Sequence, residues 1–271
     1  MNAIGVVVPT FNDAQYLRSG ISSLMSQSVP PAEVIVVDDG SNSEVALDAL
    51  ADHRRDFPSV RFIRQNNSGP SVARNRGLFE VGAPLISFLD ADDWLRGDCL
   101  ERRLDHFSRT PDLAGAFGGW QAFSNERQGD RSQFSAMPPS ALQRDGIGRR
   151  FPGGLPLWLM RTEVVRKAGG CDPALRHMED FDLLLRMGRI GGRYAGDNEP
   201  TYVRMLRPGS LSRTSAGATY RGTMVFIRKA ARERYFSRGE FARRLFLTHA
   251  QALWRLRLWR GPRARNSKTP S

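Results

Sequence analysis

Asp90, Ala91, Asp92 and Asp93 set three carboxylates within four residues, directly after the apolar run Leu85 to Leu89. Carboxylates this close repel one another unless a cation or a donor-rich ligand shares the charge, and hard oxygen ligands suit Mg²⁺ or Mn²⁺. A divalent ion held there can bridge a diphosphate and stabilise the charge that develops as it leaves. The alternative is a solvated acidic turn that caps a helix beginning near Asp98. A second acidic pair, Asp38 and Asp39, precedes Gly40 and Ser41. Such a pair is costly to leave without donors, and a pyrimidine N–H is a fitting one. An N-cap for the next helix accounts for the same residues. Pro9, Thr10, Phe11, Asn12 and Asp13 form a third group. The proline ends a strand, the hydroxyl and amide offer hydrogen bonds, and the aromatic ring can lie against a base.

All three groups follow short apolar runs that read as strands: Ile4 to Val8, Val34 to Val37 and Leu85 to Leu89. Another strand is expected at Val60 to Ile63. Helical spacing separates them, in Tyr16 to Met25 with Asn12 or Asp13 as N-cap, in Ala46 to Ala51 and in Ser71 to Val81. This alternation implies an α/β fold with a mainly parallel central sheet flanked by helices, whose ligands bind beyond the carboxyl ends of the strands. Gly and Pro clusters at 118–119, 138–139 and 152–156 read as loops, with helices at Glu163 to Ala168 and Asp180 to Arg189.

In order and spacing, VVVPTFND, EVIVVDDGSNSE, NNSGPSVARNRG and ISFLDADDWL resemble the family 2 inverting glycosyltransferases, which have the GT-A nucleotide-diphospho-sugar transferase fold. The likeness continues through RTEVVRKAGGCD and HMEDFDLLLRM to YVRMLRPGSLS, about residues 3 to 213. It implies an enzyme that moves a sugar, UDP-hexose being the default donor, onto a lipid-linked or polysaccharide acceptor in bacterial surface polysaccharide assembly. The positions matching Pro9, Thr10, Phe11 and Asn12 line the family's nucleotide pocket, and the one matching Asp39 bonds the base. Gly69, Arg74 and Asn75 match a segment that helps bind the nucleotide or its sugar. Asp90, Ala91 and Asp92 correspond to the DXD motif, with Asp90 towards the ribose or sugar, Asp92 towards the metal and Asp93 as a further ligand. Glu179 and Asp180 match an acidic pair that contains the catalytic base; Asp180 is the expected base, with Glu179 second. Without the upstream motifs, the pair reads as acids favoured at a helix start by the helix dipole.

Two positions depart from the family pattern. Arg207 stands where His is common before Pro-Gly-Ser; a guanidinium cannot ligate a metal but can pair with phosphate oxygens of the donor. Cys171 stands where Phe is usual. His53, His106, His177 and His249 show no ligand spacing. Trp94 and Trp158 wall the acceptor side or simply pack.

The chain of 271 residues carries a net charge of +12, yet residues 1–220 hold 26 basic against 26 acidic side chains, and residues 221–271 hold 14 against 2. A neutral body argues against nucleic-acid binding. We expect a catalytic domain at 1–219, divided near 95, a helical basic segment at 220–260 and a disordered tail at 261–271. Phe241, Leu245, Phe246, Trp254 and Trp259 interleave with Arg243, Arg244, Arg255, Arg257 and Arg260. That pattern fits a helix in an anionic membrane interface and equally one that packs its apolar side on the body. Two cysteines without pairing motif and the absence of a signal or membrane span imply a cytoplasmic protein, peripheral on the membrane if the tail binds lipid. The rival reading is a catalytically silent nucleotide-sugar-binding scaffold, against which Asp90, Asp92 and Asp180 speak. A Rossmann oxidoreductase would need a GxGxxG after the first strand, and none is present.

Overall fold

Valine and isoleucine dominate β1 (Ile4–Thr10), and its residues from Ile4 to Val8 are buried. A strand apolar on both faces belongs inside a parallel sheet. It pairs in parallel with β2 (Glu33–Asp38) on one side and, on the other, with β4 (Leu85–Phe88), while β2 pairs in parallel with β3 (Arg61–Arg64). The crossovers are α1 (Leu17–Met25), α2 (Glu44–Asp56) and α3 (Pro70–Glu80). Ser43 caps α2 by accepting from Ala46 N. Pro70 suits the first turn of α3, where a backbone N–H has no intrahelical partner. α3 lies tightly on β1: a methyl added to Gly77 would overlap the Val7 side chain.

This computed structural model describes residues 3–124, 154–206, 216–235 and 239. The second half of the sheet comprises β5 (Trp94–Leu95), β6 (Leu113–Ser124), β7 (Trp158–Arg161) and β8 (Arg193–Leu206), with α4 (Cys99–Arg109), α5 (Thr162–Lys167) and α6 (Glu179–Ile190) between them. Among the described residues the strands form one eight-stranded sheet in the order β3-β2-β1-β4-β7-β6-β8-β5. Strand β7 runs antiparallel to both β4 and β6, β5 antiparallel to β8, and β6 parallel to β8. The parallel expectation therefore describes the first half of the sheet, and the second half is mixed.

The expected loop at 118–119 lies instead inside β6, where the register against β8 shifts on either side of Gly119. A Cβ there would fall 2.9 Å from the Glu199 carbonyl oxygen, so glycine permits a close backbone crossing rather than breaking the strand. Neither Asn12 nor Asp13 caps the first helix by its side chain. Of the cluster at 152–156, Gly154 takes a positive φ of 47° and leads a 3₁₀ turn, Leu155–Leu157; positions 138–139 and 152–153 lie outside the described residues.

The chain divides into two compact units, Met1–Arg207 and Pro208–Ser271. In the second, α7 (Ala216–Arg232) begins earlier than the expected Tyr220. Positions 241–271, with the interleaved Arg and aromatic residues and the tail, are outside the described residues. Among the described residues no helix is long and apolar enough to cross a membrane.

Candidate active site

The acidic segments after β2, after β4 and at the start of α6 converge on α3. Asp39 leaves the end of β2, its N–H donating to Thr10 O of β1 at 2.8 Å. Its buried carboxylate accepts three hydrogen bonds: Gln65 Nε2 at 2.8 Å and Ser68 N at 2.9 Å on Oδ1, and Gly69 N at 2.8 Å on Oδ2. Gly69 is the N-cap of α3 and has a φ of 94°, a conformation that favours glycine. Asp38 is buried, accepts from Ser41 N and pairs with Arg64.

One turn further along α3, Arg74 reaches two carboxylates at once. Its Nη2 lies 2.9 Å from Asp90 Oδ1 and its Nη1 3.0 Å from Glu179 Oε1. The guanidinium is 10% exposed, Glu179 15% and Asp90 37%, so the pair with Glu179 is the better shielded. Burial works against the arginine's charge, but Asp90 and Glu179 outweigh it and raise its pKa. Arg74 Nε is buried without a partner.

The three aspartates after β4 part ways. Asp93 is buried and accepts from Tyr202 Oη and, at 2.7 Å, from Met205 N, both on β8. Burial first, then the charges of Asp90 and Asp92, push its carboxyl up to about 8, while burial and Asp93 raise the Tyr202 phenol. Asp93 is thus a tie to β8, buried behind the other two aspartates of the turn. Among the described residues no three His, Cys, Asp or Glu side chains form a group that holds a metal by themselves. Asp90 and Asp92 remain, two hard oxygen donors. That set fits Mg²⁺ or Mn²⁺ shared with substrate phosphates, since such ions commonly take one or two carboxylates and complete their shell with water and phosphate.

Asn75, the neighbour of Arg74, holds the backbone of a distant segment. Its amide donates to Cys171 O and accepts from Cys171 N, both at 2.7 Å, so it fastens the segment before α6. Arg186 of α6 fastens the same segment, donating to Ala168 O and, at 2.7 Å, to Gly170 O while paired with the fully buried Asp182. Cys171 is buried, which pushes its thiol up to about 12. Met178, directly before the acidic pair, has a φ of 65°, a strained conformation for a residue with a side chain. Asp180 accepts from Phe181 N at 2.7 Å. Burial, and then the neighbouring Glu179 charge, raise its carboxyl to about 6. Gly154 borders it: a Cβ on that glycine would sit 3.9 Å from Asp180 Oδ2.

On the β1 side, Phe11 is 43% exposed and Pro9 half-buried, while Thr10 Oγ1 is buried with no partner. The Asn12 side chain is already used. Its Oδ1 accepts from Asn42 N and Ser43 N and its Nδ2 donates to Asn42 Oδ1, all at 2.9 Å, so it shapes the loop after β2. Ala91 is buried and contributes backbone only. Trp158 is a core residue against Phe117 and Tyr194, while Trp94 meets Phe123 edge-on. Arg207 lies outside the described residues.

The family model of Glycosyl transferase family 2 matches residues 5–168. The chain belongs to this family. Its relatives include TuaG of Bacillus subtilis, a glycosyltransferase named for teichuronic acid biosynthesis, 26% identical over 197 residues, 72% of this chain and 76% of TuaG. Chondroitin synthase of Escherichia coli is 33% identical over 111 residues, 41% of this chain and 16% of that protein. The chain spans 14% to 42% of the length of the first curated relatives it matches. Among solved structures, Staphylococcus aureus TarS 1–349 in complex with UDP-GlcNAc superposes with a TM-score of 0.64 at 20% identity, covering 83% of this chain and 65% of that one. At that identity the likeness shows the GT-A fold.

Within this family 2 transferase, sequence reading missed Gly154, Tyr202 and the backbone N–H of Met205, and it missed what Arg74 and Asn75 hold. Gly154 stands in a visible Gly-Gly-Leu-Pro cluster. Nothing local marks Tyr202, which meets Asp93 across 109 positions of sequence.

Proposed function

We propose that this family 2 glycosyltransferase inverts the anomeric centre as it moves a hexose from UDP to a hydroxyl of a lipid-linked or polysaccharide acceptor, in bacterial surface polysaccharide assembly. The observation that carries this reading is the convergence on α3: Gly69 at its start holds Asp39, and Arg74 holds Asp90 and Glu179 beside Asp180. TarS has been solved with UDP and with UDP-GlcNAc, and TuaG and chondroitin synthase bear polysaccharide names, which supports donor and setting by likeness.

A carboxylate oxygen accepts two hydrogen bonds, and Asp39 Oδ2 receives one from Gly69 N. Its second position suits the ring N–H of uracil, with Phe11 against the base and the buried Thr10 hydroxyl beside it. Asp180 is the base. It takes the proton from the acceptor hydroxyl as that oxygen attacks the anomeric carbon and the bond to the diphosphate breaks on the opposite side. With its carboxyl at about 6, Asp180 is ionised at neutral pH yet basic enough to accept a proton in the transition state. Asp92, aided by Asp90, would hold Mg²⁺ or Mn²⁺, which when bound draws charge from the leaving diphosphate. Arg207 adds a second source of positive charge for those oxygens. A lipid-linked acceptor would set the enzyme on the cytoplasmic membrane face, where the excess of 14 basic over 2 acidic residues in 221–271 favours anionic headgroups.

Thermal melting with UDP, with and without Mn²⁺, tests donor and metal together: stabilisation by UDP that grows with Mn²⁺ is the expected result. Stabilisation by NAD alone, or by neither, would remove the transferase reading. Mass spectrometry of products from UDP-sugars and a lipid extract then names the acceptor.

A further inference from the structure

Glu179 and Asp180 are adjacent carboxylates at the start of one helix, yet their surroundings differ. Glu179 spends its charge on Arg74 at 3.0 Å, whereas Asp180 meets a backbone N–H and the edge of Gly154. The same guanidinium holds Asp90 at 2.9 Å, so one side chain measures the separation between the donor motif and the acidic pair. The next residue, Asn75, grips Cys171 through both its N–H and its carbonyl. Methyl-sized space is missing there too: a Cβ on Gly170 would overlap the Asn75 amide. Two consecutive side chains of a helix packed on β1 thus seize the segment that delivers Asp180.

We propose that Arg74 and Asn75 are positioning residues that set the distance from donor to base and select Asp180 over Glu179 for the proton transfer. The inference rests on the reading of Asp180 as the base. It departs from a donor-ligand role for Arg74, because both terminal nitrogens already serve carboxylates of the protein. Glu179 Oε1 is engaged by Arg74 at 3.0 Å, while burial and then the Glu179 charge raise the Asp180 carboxyl to about 6. The charged and titratable groups that act on Asp180 are Glu179, Arg74 and Asp90, with the Cys171 thiol nearby. Glu179 and Asp90 raise its pKa and Arg74 lowers it.

The test uses the full chain as wild type, Arg74→Met, Arg74→Lys and Glu179→Gln. UDP affinity is measured by calorimetry with Mn²⁺, and UDP release from UDP-GlcNAc, UDP-glucose and UDP-galactose, with the lipid extract as source of acceptor hydroxyls, is followed from pH 5 to 9. Arg74→Met should leave UDP affinity within about threefold and cut release about 100-fold, the scale of a misplacement near 1 Å. Its acidic limb should move to higher pH, since the cation that favours the ionised Asp180 is gone. Glu179→Gln should also slow release but move the limb to lower pH. Arg74→Lys should restore the limb and only part of the rate, because a single ammonium lacks the fork that spans two carboxylates. Should Arg74→Met not fold, the test is carried by Glu179→Gln, which should move the limb to lower pH, against Arg74→Lys, which should hold the wild-type limb at part of the rate. A role confined to folding would move neither limb. Loss of UDP affinity by about tenfold or more in Arg74→Met, or limbs that move together, would overturn the proposal. An inert wild type would sink the transferase reading itself, whereas an active wild type with an equally active Arg74→Met sinks this inference alone.

Discussion

Asp39 and Asp90 leave the ends of β2 and β4, strands buried on both faces, whereas Glu179 and Asp180 open a helix that follows a loop. In the parallel half, backbone pairing and apolar packing aim the site. Asp39 N donates to Thr10 O and Leu89 N to Val7 O, so the carboxyl ends of three strands share one edge. In the mixed half, polar side chains aim it: Arg74, Asn75 and Arg186 tie down the residues from 168 to 179. Groups placed by a sheet tolerate the loss of one contact, while groups placed by charge pairs depend on each.

The sharpest test of this contrast is Asp180→Asn. It should cut UDP release by roughly 10² to 10⁴, the usual share of a general base, and abolish the fall in rate below about pH 6. Folding should not suffer. Because its folded pKa is raised from 3.8 to about 6, Asp180 favours the folded state at low pH, and that contribution disappears as pH rises through 6. The Asn variant should therefore melt higher than wild type at pH 8. Next in size, Arg186→Met removes the ion pair with the buried Asp182 and the bonds to Ala168 O and Gly170 O, and should cost about 3–5 kcal/mol in denaturant titration. In the donor half, Asn12→Ala removes the three bonds that shape the 42–43 loop and should cost about 1–2 kcal/mol. Asn12→Gly should cost less, since glycine accepts the φ of 55° found there. If Asn12→Ala cost as much as Arg186→Met, the contrast between the halves would fail. Smallest should be Asp93→Asn on the seam between them, within about 1 kcal/mol, because the amide still accepts from Met205 N and donates to the Tyr202 oxygen. Asp93→Leu, which leaves both partners unsatisfied, should cost more by the same melting assay.

Legibility in the sequence follows the same divide. The strands Ile4–Thr10 and Glu33–Asp38 announce themselves by β-branched runs closed by polar turns, and the acidic groups behind them were found by position alone. Strands β6 and β8 carry Gly115, Gly118, Gly119 and Gly196 and the polar run Asp197 to Pro200, so their local composition argues for loops. Their pairing with each other, bulged at Gly119, and with β7 and β5 reveals them as strands. Within the site, spacing grouped Asp90, Asp92 and Asp93, but successive side chains of a turn point in different directions. What Asp93 meets depends on β8, and what Asn75 meets depends on a loop 96 positions away. Local pattern has no access to such partners.

The contact of Gly77 with Val7 reaches beyond either residue. Because α3 bears the hold on Asp39, Asp90 and Glu179, its height above β1 sets the elevation of all three. Randomising positions 7 and 77 together and selecting for active clones should return complementary sizes, a bulkier residue at one place matched by a smaller one at the other. The fine adjustment of this enzyme would then sit beneath the helix, in an apolar joint that never meets the sugar.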